Sequence, residues 1–102
     1  MRIVLPPKFQ GASQNVSFNF ASNLAIGETI TGQYVTASVF SGTDPAPGSI
    51  LSGLATSAGS TVTQRVTGGT PGTIYELLCT AVTSSGQILQ LSAYLAVIPD
   101  LA

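Results

Sequence analysis

The chain has 102 residues, which is enough for one domain, and 7% of them are charged, against about 25% in an ordinary soluble domain. Its three basic side chains are too few for nucleic-acid binding by phosphate neutralisation, and its longest apolar run, residues 93–98, is far shorter than the roughly 20 residues of a membrane helix. Because His is absent and Cys79 is the single cysteine, the composition excludes His-based catalytic triads, a disulfide within the chain and most metal sites.

The first 13 residues do not share the strand pattern of the rest of the chain. Apolar residues surround Pro6-Pro7, a pair that disfavours a helix. The same prolines end the apolar run before it reaches the roughly 7 to 15 residues of a signal-peptide core, so we predict an unprocessed chain made in the cytoplasm. We interpret residues 1–13 as an extended N-terminal arm and residues 14–102 as a single β-sandwich domain. The arm residues predicted to contact a partner are Leu5, Pro6, Pro7 and Phe9.

The next part of the chain predicts two strands and a loop. Residues 15–20 alternate cleanly, and residues 29–40 are also β-rich, although their apolar positions change from even to odd. A bulge or bend near residues 32–35 would reconcile the two halves of the second strand. Residues 41–48 are rich in Gly and Pro and predict a loop, followed by a short strand at residues 50–54. The loop residues predicted to contact a partner are Asp44, Pro45 and Pro47.

The last 40 residues predict a strand followed by a long hairpin. Residues 61–66 are rich in β-branched side chains and end at the Gly-rich connection 68–72. Residues 74–83 place Tyr75, Cys79 and other apolar side chains on one face. A Ser-Ser-Gly turn then leads into residues 87–97, whose odd-numbered face is predicted to be buried.

These patterns together indicate an all-β fold. Six or seven short strands with turn signals about every 8 to 12 residues, and no sustained helical periodicity, are typical of a β-sandwich of the immunoglobulin or fibronectin III type. A small barrel is the alternative architecture.

The sequence offers little for catalysis. The four carboxylates lie on separate predicted elements, so we interpret each one as a solubilising surface charge. Cys79 sits in an apolar strand, where a buried core role is expected. The Gly-rich segment 68–72 lacks the Lys of a phosphate-binding loop and precedes a strand. We therefore predict no enzyme activity, no catalytic residue, no metal site and no cofactor.

A sugar-binding module is a second class to consider, because many β-sandwiches stack sugars on exposed aromatic rings. Trp is absent, and we favour structural roles for Tyr34, Tyr75 and Tyr94. Tyr75 in particular follows a turn, where sandwiches commonly place a core or corner tyrosine. The remaining features, which are long neutral strands, a Pro-Gly loop and an apolar arm, suit the recognition of other protein subunits.

Three segments carry a family resemblance in their order and spacing. Leu24–Ile30 has the pattern L-x-x-G-E-T-I, Gly68–Tyr75 has G-G-T-x-G-x-x-Y, and Thr83–Gln87 begins with T-x-S-G before a hydrophobic final strand. Over roughly residues 14–98 the sequence resembles small Ig-like bacteriophage structural proteins of the fibre-tail adaptor or neck type. Phe20 stands where relatives tend to carry Trp, and residues 77–79 are unusually rich in Leu and Cys; both changes suit a core of similar volume.

The resemblance implies a non-enzymatic, multicopy virion component that joins tail fibres to the tail or neck. Its expected partners are other virion proteins, such as tail or neck adaptor, portal-proximal or fibre subunits, with no nucleic acid and no membrane. Its expected location is the tail or neck of the virion, after synthesis in the host cytoplasm.

Two alternatives stay open at this point. A capsid decoration protein would use the same fold and the same neutral faces, and it would be present in far more copies per particle. A module that binds sugars or the host surface would lose glycan binding on Tyr34→Ala or Tyr94→Ala.

Overall fold

Alternating side chains between frequent Gly, Ser and Thr residues form strands throughout the chain. The computed structural model describes residues 2–99, with side chains described from Val4 onward. Met1, at the start of the predicted arm, and Asp100, one of the predicted surface charges, lie outside the described residues. The strands of the described part are β1 (Arg2–Val4), β2 (Lys8–Phe9), β3 (Ser13–Asn19), β4 (Ile30–Ser41), β5 (Leu51–Ala58), β6 (Thr61–Thr67), β7 (Ile74–Thr83) and β8 (Ile88–Ile98).

The strands form two sheets. In the first sheet the order is β1-β8-β7-β4, and β2 continues the β1 edge by pairing with the C-terminal end of β8. In the second sheet the order is β3-β6-β5. Both β1 and β2 run parallel to β8, whereas the other pairs are antiparallel. The all-β, two-sheet prediction is confirmed.

The core lies between the sheets and is dominated by the C-terminal hairpin. Tyr75, Leu77 and Cys79 are fully buried, and the odd-numbered side chains of β8 from Leu91 to Val97 are buried as well. Cys79 is a free thiol whose pKa is raised by burial to about 12, so it is a packing residue, as predicted. Strand alternation alone therefore identified the inner face of both strands.

The predicted strand ends and bulge positions differ from those of the structure where the strand pairing is irregular. The bulge predicted near residues 32–35 of β4 lies earlier, as a register shift between Ile30 and Gly32, and a second shift lies between Val39 and Ser41. The strand predicted at residues 50–54 extends to Ala58 and contains a larger bulge. Two short 3-10 turns, Ala21–Asn23 and Pro47–Ile50, are the helical segments of the described residues.

Candidate functional site

The predicted arm lies along β8 in extended conformation. The Leu5 N–H donates to the Tyr94 carbonyl at 2.9 Å, and the Leu5 side chain packs, half-buried, against the core. The other predicted contact residues of the arm, Pro6, Pro7 and Phe9, are exposed. Of the four predicted arm residues, Leu5 therefore packs against the domain, and the other three are presented to solvent.

Lys8 fastens the arm to the domain. It lies opposite Val97 in the β2–β8 pairing and is only 1% exposed. Its ammonium Nζ donates to the carbonyl oxygens of Phe9 at 2.8 Å, Gln10 at 3.2 Å and Gly68 at 2.7 Å. A buried charge needs such partners, and the Gly68 bond joins the arm to the connection between β6 and β7. Sequence reasoning missed this role because the acceptors do not lie in one local motif.

The loop after β4 forms hydrogen bonds with Thr73 and Tyr75, at the end of the connection between β6 and β7. Asp44 accepts a hydrogen bond from the Ala46 N–H at 2.9 Å through Oδ1, and one from the Tyr75 hydroxyl at 2.5 Å through Oδ2. Pro45 is exposed, and Pro47 is half-buried where the second 3-10 turn begins. Asp44 thus shapes the loop that presents the two prolines.

The Tyr75 hydroxyl links this loop to the β6–β7 connection. It accepts a hydrogen bond from the Thr70 N–H at 2.8 Å and donates to Asp44. The bond from Tyr75 is the main cause of a lowered pKa at Asp44, while burial is the main cause of a raised pKa at Tyr75. The predicted structural role of Tyr75 is confirmed.

Two glycines have close neighbours here, a side chain for one and backbone for the other. Gly69 has φ +103°, and a Cβ at this position would lie 2.8 Å from Cγ2 of Val97. Gly42 has φ +101°, and its Cβ would lie 2.9 Å from the Thr73 Cα. Any larger residue at either position would meet both an unfavourable backbone conformation and a close neighbour.

We define the arm end of the molecule as residues 5–9, 42–47 and 68–75. The first two segments each form hydrogen bonds with the third, so the structure brings both predicted contact regions to one end of the fold. Four of the seven predicted residues, Pro6, Pro7, Phe9 and Pro45, are exposed there. Their contact with a partner stays a prediction.

At the opposite end of the fold, the Glu28 carboxylate joins two turns. We define the hairpin end as residues 24–30 and 83–87. Glu28 accepts hydrogen bonds from the Thr83 hydroxyl at 2.6 Å, the Ser85 hydroxyl and the Ala25 N–H at 2.9 Å. These bonds, with Ser85 the largest contributor, lower the pKa of Glu28. Glu28 was predicted as a solubilising surface charge, and instead it connects two turns.

A cleft of about 320 Å³ separates β4 from β5. Apolar side chains such as Leu51 and Leu54 form much of its lining. Two amides in the lining form hydrogen bonds to β5: the Gln33 amide donates to the Ala55 carbonyl at 3.1 Å, and the buried Gln64 amide donates to the Gly53 carbonyl at 3.2 Å. Tyr34, at the rim, is 56% exposed. The other tyrosine considered for sugar stacking, Tyr94, is half-buried and packs on Phe40 with 4.5 Å between ring centroids.

Residues 2–99 contain neither a metal-binding cluster nor a membrane-spanning helix. In that range no three His, Cys, Asp or Glu side chains come together in a way that would hold a metal ion. Neither 3-10 turn has the length or the apolar character to span a bilayer.

A family model described as podophage GP4 fiber-tail adaptor protein gp77 matches residues 8–96 of the chain. The matched region contains Lys8, Glu28, Asp44 and the whole of β3 to β7. No curated protein matches the chain. The family match supports neither the capsid-decoration nor the sugar-binding alternative.

Proposed function

We propose that this chain, which belongs to the podophage GP4 fiber-tail adaptor protein family, contacts its virion partners through the arm end. Family membership makes the chain a structural adaptor that joins tail fibres to the virion. Our proposal adds that several copies are present in the tail or neck, that each is synthesised in the host cytoplasm, and that the adaptor acts by surface contact without a catalytic step.

The observation that carries this proposal is a group of exposed apolar side chains on segments that hydrogen bonds hold in place. Phe9 is 47% exposed, and Pro6, Pro7 and Pro45 are exposed beside buried anchors. Proline has a fixed φ and an aromatic ring has few rotatable bonds, so ordering these side chains on binding costs little entropy. Binding energy at protein interfaces commonly centres on a few such aromatic and apolar residues.

Charge supports the same conclusion. The charged groups described at this end, Lys8 and Asp44, form hydrogen bonds within the domain. The surface offered to a partner is therefore uncharged, with the exposed apolar side chains next to the hydroxyls of Thr43 and Thr70. We expect a partner surface that is also apolar, and binding that depends weakly on salt.

The test uses the full chain in phage particles. Phe9→Ser combined with Pro45→Ser removes exposed apolar groups without touching Leu5, Lys8 or Asp44. The matched control is Ile26→Ser, which removes a fully exposed apolar side chain from the hairpin end. Thermal unfolding of the purified chains checks that all variants fold. The amounts of adaptor and fibre protein in purified particles are then measured.

We expect the double variant to fold normally and to be depleted from particles together with the fibres, while Ile26→Ser particles keep both proteins. Depletion by Ile26→Ser alone would move the contact to the hairpin end and refute the arm-end proposal. Immunogold labelling of wild-type particles tests the location separately: we expect label at the tail or neck, and label spread over the head would contradict that placement.

A further inference from the structure

Exposed strand edges attract additional strands, and most edges of this fold carry features that prevent such pairing. The β1–β2 edge is interrupted by Pro6-Pro7. Strand β4 has two register shifts, and β5 has a bulge between Ser52 and Thr56. Proline and bulges are the usual means by which proteins block strand addition.

The edge formed by β3 has none of these features. Its seven residues pair with β6 in one unbroken register, from Ser13 opposite Thr67 to Asn19 opposite Thr61. The segment S-Q-N-V-S-F-N contains no Pro, no Gly and no charged residue. It is therefore a regular and neutral edge.

The backbone of β3 has hydrogen-bonding groups on its outer side. Just beyond the strand, the Phe20 N–H donates to the Ser60 carbonyl at 2.8 Å. In an antiparallel pair, residues that bond to the neighbouring strand alternate with residues that do not. The even-numbered residues of β3 therefore bond to β6. The odd-numbered residues direct their N–H and C=O groups away from the sheet. Among residues 2–99, no group bonds to the backbone N–H or C=O of Asn15 or Ser17.

We propose that β3 pairs in antiparallel fashion with β3 of a second copy of this chain. The outward groups lie on odd-numbered residues, so odd residues must face odd residues across the pair. A two-fold axis at Val16 satisfies this condition and places Asn15 opposite Ser17 of the second copy. Each three-stranded sheet then becomes half of a continuous six-stranded sheet.

Charge favours a second copy as the occupant. The chain has a net charge of −1, and the charged side chain opposite β3 on its neighbour β6 is Arg65, which faces Asn15. In the proposed pair, two β3 strands separate the Arg65 residues of the two copies. The odd-numbered residues that face each other are Ser and Asn, which form hydrogen bonds across strands without repulsion, and the even-numbered residues are also uncharged. The symmetric arrangement is isologous, the commonest form of self-association.

Sedimentation velocity of the full chain over a range of concentrations tests the proposal. Ser17→Pro removes an outward N–H that has no role within the sheet, and Ser17→Lys adds a charge to the edge. The matched control is Thr56→Lys, because Thr56 belongs to the same cross-strand row as Ser17 but lies at the opposite edge. Far-UV circular dichroism and thermal unfolding verify that each variant is folded.

We expect wild type and Thr56→Lys to dimerise, and both Ser17 variants to have a dimer dissociation constant raised at least tenfold. A wild type that stays monomeric at all concentrations overturns the proposal. A monomeric wild type whose Ser17 variants are also lost from particles would assign the edge to a strand of another virion protein, and would equally overturn pairing with a second copy.

Cysteine cross-linking tests the register. In a hydrogen-bonded antiparallel pair the facing Cα atoms are about 5.5 Å apart, within disulfide range. Asn15→Cys and Ser17→Cys chains, mixed and oxidised, should form a heterodimeric disulfide that neither variant forms alone. The buried Cys79 is inaccessible to this reaction. Equal cross-linking of each variant alone would contradict the Val16-centred register.

Discussion

The two ends of the sandwich use the same chemistry in different surroundings. At each end one carboxylate accepts hydrogen bonds from a hydroxyl and from a nearby backbone N–H, and so joins two connections. At the arm end the hydroxyl belongs to the fully buried Tyr75, with the buried Lys8 nearby in the fold. At the hairpin end one hydroxyl belongs to the buried Thr83, but the other belongs to the exposed Ser85.

This difference indicates which end is built for rigidity. Bonds shielded from water contribute more to stability than bonds for which water competes, because the dielectric around them is lower. The arm end also contains close contacts at Gly42, which lies against the Thr73 backbone, and at Gly69, which lies against the Val97 side chain, whereas Gly86 at the hairpin end has open space around it. We therefore expect substitutions at the arm end to cost more stability than equivalent substitutions at the hairpin end.

The largest contrast is expected between Gly69→Ala and Gly86→Ala. Both glycines have positive φ, +103° and +88°, but only the Cβ at residue 69 meets a close neighbour, Cγ2 of Val97 at 2.8 Å. Backbone strain plus overpacking should lower the free energy of unfolding by about 3 kcal/mol for Gly69→Ala. Strain alone should cost about 1 kcal/mol for Gly86→Ala. Urea unfolding measures both, and equal losses would show that packing at Gly69 is unimportant.

Sequence alone predicts much of the β7–β8 hairpin, but it predicts little of the difference between the arm end and the hairpin end. The faces of β7 and β8 follow from alternation, because burial on one side of a strand imposes a period of two. The three motifs that carried the family resemblance, Leu24–Ile30, Gly68–Tyr75 and Thr83–Gln87, form parts of the two ends. Their turn chemistry was visible, but the partners that they join in space were not.

Other features depend on contacts between residues far apart in sequence. The alternation of β6 places Gln64 on the same face as Val62 and Val66, but its burial is explained only by the bulge in β5, whose carbonyls it binds. The parallel pairing of β1 and β2 with β8 joins opposite ends of the chain. Local propensity carries no information about such pairings.

A smaller difference in the free energy of unfolding is expected between substitutions of the buried Lys8 and of the exposed Arg65. Lys8→Met keeps most of the side-chain volume but removes the donor to three carbonyls, including that of Gly68. Hydrogen bonds from charged groups contribute about 2 kcal/mol, and we expect a loss of that order in the free energy of unfolding. Arg65→Met, which removes the charge of an exposed residue, should change it by less than about 0.5 kcal/mol.

Hydrogen exchange locates the effect of Lys8→Met. The amide of Leu5, which bonds to the Tyr94 carbonyl, should exchange faster in this variant because the arm loses its fastening. Amides of the hairpin end should be unchanged. Unchanged exchange at Leu5 would mean that strand pairing alone holds the arm on β8.

The smallest expected effect is on acid stability. Hydrogen bonds lower the folded-state pKa values of Glu28 and Asp44 below their ordinary values of 4.5 and 3.8. A carboxylate with a lowered folded-state pKa stabilises the fold above its ordinary pKa, and this stabilisation is lost as the pH falls through the folded-state value. Urea unfolding midpoints should therefore be independent of these groups above pH 4.5 and fall below it.

Tyr75→Phe separates the two carboxylates. The bond from Tyr75 is the main cause of the lowered pKa at Asp44, so its removal returns that pKa toward 3.8 and flattens the acid part of the stability curve. Glu28→Gln should flatten the same curve starting from higher pH, because the ordinary pKa of Glu28 is 4.5. Tyr34→Phe, on the exposed face of β4, should leave the curve unchanged. If Tyr75→Phe lowers stability equally at every pH, the Tyr75 hydroxyl acts mainly through the Thr70 N–H, and the Asp44 carboxylate does not need its charge to hold the loop closed.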